Sequence, residues 1–427
     1  MIKKALPILL VIALLIVSCG EKTDDTTLIE EPVATAVVEA EEVIEPGETS
    51  GEGSAEDTTF TSEENPCKPF SMLSTRLVTP FAGLPEVTQD DWSLGPDDAI
   101  ATFMEYSEPQ CPYCAQLEPI LTALQARFPD DVRLVYRHRP FPESFHDKSI
   151  LASQALEAAG KQGKFQELKN YLFETQSEWV PVAKDEFDGW LEEKIGQFDL
   201  ESTQFFDDMY SDEVVEKIAD ASDAANSLAI NGTPTLFING YKWPENERGI
   251  EIFSYYVQLL KNQSVEYDGC APTVIQPGKD YAATISTSGG DIEVELFEDI
   301  APYAVNSFIF LANEGWYDGL PFISTNEFVL TGDPSDTGYG GPGYAYLDEL
   351  DESLTFDEPG QLSTFSLGPG INGSTFFINK TALDGQQSRT IFGEVTSGMD
   401  VVNALESREN IFDPILDSIV SVTIIEK

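Results

Sequence analysis

Positive charge is scarce in this sequence: 24 lysines and arginines stand against 75 aspartates and glutamates in 427 residues, a formal charge of −51. A surface this negative repels phosphate backbones and anionic headgroups, which excludes nucleic acid as a partner and membrane contact through a basic patch. Long apolar runs are missing as well. The run from Ala5 to Val17 covers 13 residues, short of the ~20 that a membrane-spanning helix needs. Histidines number two and cysteines five, which leaves few ligands for a metal. What is present is a hydrophobic fraction of 41%, enough for packed cores in two or three domains.

Lys3 and Lys4 ahead of the apolar run give residues 1–18 the form of an export signal. The run ends Ile16-Val17-Ser18-Cys19, which resembles the lipobox of bacterial lipoproteins. That resemblance implies lipidation of Cys19 and a chain held at the outer face of the bacterial cell membrane; the alternative is an ordinary cleaved signal with an incidental cysteine. Residues 19–65 read as an acidic disordered tether, since Glu21 to Glu64 holds 15 acids and one lysine with no sustained period. Without signal and tether the chain keeps 60 acids and 21 bases, so the acidity belongs to the folded part too.

Four cysteines remain. Cys111 and Cys114 are paired by spacing, which leaves Cys67 and Cys270 to each other as a structural disulfide in an exported protein. Closing that loop of 203 residues would stabilise by about 4 to 5 kcal/mol in the chain-entropy model. The alternative is two unpaired buried thiols.

Residues 66–271 read as an α/β domain. The β-prone run Ala99 to Tyr106 leads through Ser107-Glu108-Pro109-Gln110 to Cys111-Pro112-Tyr113-Cys114, and a helical stretch with Leu117, Leu121 and Leu124 in period follows. A dithiol at a strand-to-helix junction has a chemical reason: the helix N-terminus offers free N–H groups and partial positive charge to a thiolate. Cys111, nearer that end and taken as the more exposed, is the expected nucleophile. Cys114, one turn deeper, would resolve the mixed disulfide. Zinc on this pair would need two further ligands from His138, His146 or the distant cysteines, so redox chemistry is favoured, with no cofactor beyond the two sulfurs. A second strand spans Asp131 to Arg137, a helical insertion runs from Ser144 to Ala229, and Gly232-Thr233-Pro234-Thr235 precedes a strand and a closing helix from Gly249 to Lys261.

Residues 90–265 resemble the DsbA-type branch of the thioredoxin fold in the C-P-Y-C, the helical insertion and the G-T-P-T. The resemblance implies a cis Pro234 beside the dithiol, with the Thr233 backbone open to pair with an extended substrate. It also gives Glu105, six positions before Cys111, a proton-relay role; a solvated strand side chain is the alternative. The central Pro112-Tyr113 departs from the Pro-His of strongly oxidising members and is similar to glutaredoxins, so a less oxidising dithiol is expected.

Residues 272–280, with two prolines and a glycine, read as a linker. From 281 to 427 the pattern becomes short alternating strands, glycine turns and one helix from Tyr303 to Glu314, which suits a mainly-β barrel. These residues resemble cyclophilins in Gly315-Trp316-Tyr317-Asp318-Gly319, Thr331-Gly332-Asp333-Pro334, Phe376-Phe377-Ile378 and Ile391-Phe392-Gly393-Glu394-Val395. The resemblance implies prolyl isomerisation in an apolar pocket, with Phe322, Phe328, Phe377 and Leu383 as substrate-binding candidates, though any barrel core would keep such residues. The family's catalytic arginine falls on Ser324, which supplies no charged planar donor. Arg389, at another pocket position, is a candidate replacement cation. Three functions follow: an anchored thiol-disulfide oxidoreductase whose cyclophilin-like half binds proline-containing segments of extended exported polypeptides and which depends on an unidentified redox partner; a prolyl isomerase with an accessory thioredoxin-like domain; or a non-catalytic holdase.

Overall fold

The computed structural model describes residues 66–73, 79–383, 388–408 and 413–427, which fall in one compact unit. The expected export signal, Cys19 and the expected acidic tether lie outside them.

The first sheet has five strands in the order β2-β4-β3-β5-β6, with β2 Trp92–Leu94, β3 Ala101–Ser107, β4 Val132–His138, β5 Thr235–Ile238 and β6 Tyr241–Lys242. The central pair, β3 and β4, is parallel, and helix α1 (Pro112–Arg127) makes the crossover between them. β3 is buried along almost its whole length because both faces of the sheet are covered. One face packs Phe103, Leu134, Leu236 and Ile238 against Leu117, Leu121 and Leu124 of α1 and against Phe253 and Val257 of the closing helix Ile250–Gln263. The other face packs Met104, Val135 and Phe237 against Ala225 and Ile230. Asn239 and Gly240, both at positive φ (48° and 84°), turn β5 into β6 as a two-residue hairpin requires. Between β4 and β5 the insertion forms α2 (Ser149–Lys161), α3 (Phe165–Glu174) and further helices out to Ser227, around a core that includes the buried Trp179 and also takes in Cys111, Cys114 and Tyr136. This is a thioredoxin fold with a helical insertion.

The second sheet has eight strands, in the order β15-β7-β8-β14-β12-β13-β10-β9, with β7 Tyr281–Thr287, β8 Gly290–Leu296, β12 Gln361–Thr364 and β15 Ile419–Glu426. Those that bear on function are β9 Ile323–Ser324, β10 Phe328–Thr331, β13 Phe376–Asn379 and β14 Ile391–Ser397. The sheet curls round helix Pro302–Asn313, and the bonds Gly319 N–H to Ile419 O (2.7 Å) and Ile419 N–H to Leu320 O (2.9 Å) bring its last strand to the segment leading into β9. The core holds Val305, Phe308, Tyr317, Phe376 and Phe392, as a curled antiparallel cyclophilin sheet requires.

Between the two sheets, contacts cross the sequence-based boundaries. Strand β1 (Cys67–Pro69), placed by the sequence in the first domain, pairs antiparallel with β11 (Tyr344–Tyr346) of the second. Cys67 and Cys270 are joined by a disulfide (S–S 2.06 Å), and both pack against the barrel core together with Tyr267 and Ala271. Residues 272–280 are not a free linker either: Val274 and Ile275 pack on the same core, and the Val274 N–H donates to Asn306 Oδ1 at 2.7 Å. The physical reason is burial of apolar surface, which draws both ends of the thioredoxin segment onto the barrel. Gly343 makes the seam possible. At φ +86° it approaches so closely that a Cβ would lie 2.4 Å from the Tyr267 carbonyl oxygen, a position only glycine tolerates.

Candidate active site

Cys111 is the N-cap of α1 and Pro112 stands at its first turn, where the missing N–H costs nothing. Its thiol donates to the Thr233 carbonyl oxygen at 3.3 Å, and the Thr233–Pro234 peptide is cis. The Arg248 guanidinium holds the next carbonyl, Pro234 O, at 2.8 Å. Both dithiol sulfurs are free thiols in this structure. The sequence took Cys111 as the more exposed of the pair; it is 3% accessible against 0% for Cys114, so both are buried, Cys111 against the Thr233 loop. The motif's exposed member is Tyr113, at 64%.

The two thiols are electrostatically unlike. The hydrogen bond from Cys114 draws the Cys111 thiol down to about 6, helped by Thr233 and the Cys114 backbone amide and opposed by burial and by Glu108. Cys114 is pushed well above the ordinary thiol range by burial first, then by its bond to Cys111 and by the charge of Glu105. A thiolate at Cys111 beside a protonated Cys114 is the arrangement that nucleophilic exchange needs.

Glu105 is buried in the middle of β3, and its Oε1 has no hydrogen-bond partner. Burial and then the charge of Glu118 push its carboxyl up to about 8, against the pull of Lys169. Glu118 of α1 is ion-paired with Lys169 of α3, and that ammonium lies 5.5 Å from the centre of the Tyr136 ring. These four residues line one narrow cleft behind the dithiol. The sequence reading missed Glu118 and Lys169. The signal was a carboxylate next to Leu117 on the buried stripe of α1.

In front of the dithiol lies a groove of about 550 Å³ lined by Cys111, Pro112, Tyr113, Phe141, Pro142, Phe145, His146, Asn231, Gly232 and Thr233. Each histidine is held by a buried carboxylate: His138 Nε2 is 2.8 Å from Glu157 Oε1, and His146 Nδ1 is 2.5 Å from Glu108 Oε1. Glu108 and His146 are also residues that sequence reasoning did not place at the site.

In the barrel, strand register separates the pocket candidates. Ser324, Val329 and Ile378 stand in one cross-strand row, and Val329 and Ile378 belong to the barrel core. Ile323, Leu330 and Phe377 stand in the next row, on the opposite face. Phe377, Phe328 and Leu383 gather on that face with Leu330, Phe356 and Phe365. Phe322 does not: just before β9, its ring is buried in the barrel core, where removal of its apolar surface from water holds it, which corrects its assignment to the pocket. Ser324 donates to Leu405 O and accepts from Lys380 Nζ, both at 2.8 Å. Arg389 joins the aromatic cluster, its guanidinium 4.9 Å from the centre of Phe365 and 5.7 Å from that of Phe377.

Comparison with known proteins matches the two halves separately. Residues 87–257 match the model of a thioredoxin family, and residues 282–424 match that of the cyclophilin-type peptidyl-prolyl cis-trans isomerases. The crystal structure of Wolbachia pipientis alpha-DsbA1 aligns at 17% identity over 42% of this chain and 94% of that one, with a TM-score of 0.38. A Na(+)/H(+) antiporter NhaA 1 of Mycolicibacterium gilvum is 33% identical over 35% of this chain and 23% of its own length. The chain spans less than a quarter of several such curated relatives. Peptidyl-prolyl cis-trans isomerase-like 1 of Rhizopus delemar is 40% identical over 28% of this chain and 77% of its own. On that match and the family model, the chain belongs through residues 282–424 to the cyclophilin-type peptidyl-prolyl isomerases, joined here to a thioredoxin domain.

Proposed function

We propose that the protein is an exported, lipid-anchored thiol-disulfide oxidoreductase that acts on extended exported polypeptides through Cys111 and Cys114. The observation that carries this reading is the separation of the two thiols, Cys111 drawn down to about 6 and Cys114 pushed up, at the head of α1 beside an apolar groove. In the reducing direction the Cys111 thiolate attacks a substrate disulfide, forming a mixed disulfide and expelling one substrate sulfur as thiolate. Cys114 then passes its proton to Glu105 in its ionised form, which grows in population as pH approaches 8, and attacks Cys111 Sγ. The Cys111–Cys114 disulfide closes, and the second substrate sulfur leaves with the electron pair. Two electrons pass from dithiol to substrate, and the reverse sequence oxidises a substrate dithiol. An unidentified redox partner resets the pair. The barrel binds proline-containing segments of the same polypeptides. The test is alkylation of Cys111 against pH together with insulin reduction: a thiol titrating near 8.5 and no exchange would leave a holdase.

A second reading, prolyl isomerisation, is favoured by the family of the barrel and by Arg389 in the aromatic cluster. A cation there can donate near the prolyl nitrogen and weaken amide resonance, lowering a barrier of about 18–20 kcal/mol. Arg389→Met then abolishes turnover of a proline peptide; unchanged turnover rules the residue out.

A further inference from the structure

The C-P-Y-C motif carries no histidine, yet one stands in the groove of Cys111. It comes from the loop between β4 and α2. We propose that His146, clamped by Glu108, is the cation that stabilises the Cys111 thiolate, taking from outside the motif the role that a histidine within it would play. The proposal rests on the dithiol reading above and adds a positioning residue that tunes it.

Burial makes the case. The Glu108 side chain is fully buried; its Oε2 accepts the Gln110 N–H at 2.8 Å and its Oε1 meets His146 Nδ1 at 2.5 Å. A buried carboxylate is costly unless a positive partner compensates it, so Glu108 holds the proton on His146. Two aromatic rings flank the imidazole: Phe145 lies over it at 4.5 Å and Phe141 meets it edge-on at 5.8 Å. The face of Phe145 favours a cation.

The other charges nearby are engaged. Asp147, next in the loop, is held by Lys148 Nζ and Gln110 Nε2 at 2.8 and 2.7 Å, and Glu143 of the same loop pairs with Lys184. The groups acting on His146 are therefore Glu108, Cys111 and Asp147. All three raise its proton affinity, the Glu108 hydrogen bond most, against burial. Coupling between sites is reciprocal: a thiolate that favours the imidazolium is favoured by it. As pH rises through the His146 midpoint the cation is lost, and the thiolate loses that support.

The experiment uses the reduced full-length protein. Cys111 is titrated by iodoacetamide alkylation in wild type, His146→Gln and His146→Arg, and His146 is followed by NMR in wild type and Cys111→Ser. With two histidines in the chain, the resonances are readily assigned. The expected result is a rise of about one pKa unit in His146→Gln, so that alkylation at pH 5.5 slows roughly eight-fold, with wild-type behaviour in His146→Arg. The His146 midpoint should fall in Cys111→Ser, a response that a merely structural histidine would not give. An unchanged Cys111 midpoint in His146→Gln, with wild type still exchanging disulfides, overturns the proposal and leaves the dithiol reading standing. A wild-type Cys111 that exchanges with no peptide disulfide overturns both.

Discussion

The dithiol groove and the aromatic face of the barrel put ionisable groups to opposite uses. Around Cys111 and Cys114, burial is combined with acids and cations so that neighbouring groups are driven apart: Cys111 to about 6, Glu105 to about 8, Cys114 higher still. On the barrel face, Phe328, Phe377, Phe365 and Leu383 gather around one guanidinium, itself lowered by burial. The first arrangement suits proton and electron transfer, the second a grip on an apolar segment. The comparison teaches that reactivity here follows from how charges are arranged within a buried site.

The largest expected effect is on the reactive side. Cys111→Ser should reduce disulfide exchange to background in an insulin assay, whereas Cys114→Ser should accumulate mixed disulfides visible on non-reducing gels. A Cys114→Ser protein that still turns over would break the division of roles.

The next effect falls on the barrel. Replacing both Cys67 and Cys270 by serine removes a loop closure spanning 203 residues, which should cost about 5 kcal/mol in the chain-entropy model, read as a lower denaturant midpoint. Because both cysteines pack on the barrel core, the barrel should soften before the redox domain. A fragment beginning at residue 275 should likewise be less stable than the barrel in the intact chain, since it lacks β1.

Glu105→Gln sharpens the comparison further. The folded carboxyl is raised from 4.5 to about 8, so folding binds its proton more tightly. The stability this gives is complete below pH 4.5 and is lost as pH rises through 8. The glutamine variant should therefore be more stable than wild type at pH 7, by about 1 to 3 kcal/mol, while resolution of the mixed disulfide slows roughly ten-fold. Equal stability at pH 5 and pH 9 would contradict the raised carboxyl. The smallest effect in absolute rate is the loss of isomerase turnover in Arg389→Met, measured with a proline peptide.

Much of this arrangement can be read from the chain. The apolar run into C-P-Y-C and the leucine period after it give a strand, a dithiol and a helix, because β3 and α1 obey local periodicity. What escapes is long-range. Strand β1 is three residues, Cys-Lys-Pro, with no period, and its partner Tyr344–Tyr346 lies far along the chain. His146 and Glu108 sit in separate loops that meet only after folding. Phe322 shows why motif position alone misleads: it stands just before β9 and packs into the barrel core with Val329 and Ile378, a placement that only the folded barrel reveals. Glu118 was missed as well, although its place beside Leu117 on the buried stripe of α1 was a signal that could have found it.

The most direct measurement is the titration of the Cys111 thiol in the reduced full-length protein, followed by thiolate absorbance and by alkylation mapped to the residue. The account predicts a midpoint near 6, with Cys114 unreactive across the same range. A midpoint near the free value of about 8.5, with equal alkylation of both cysteines, would contradict it.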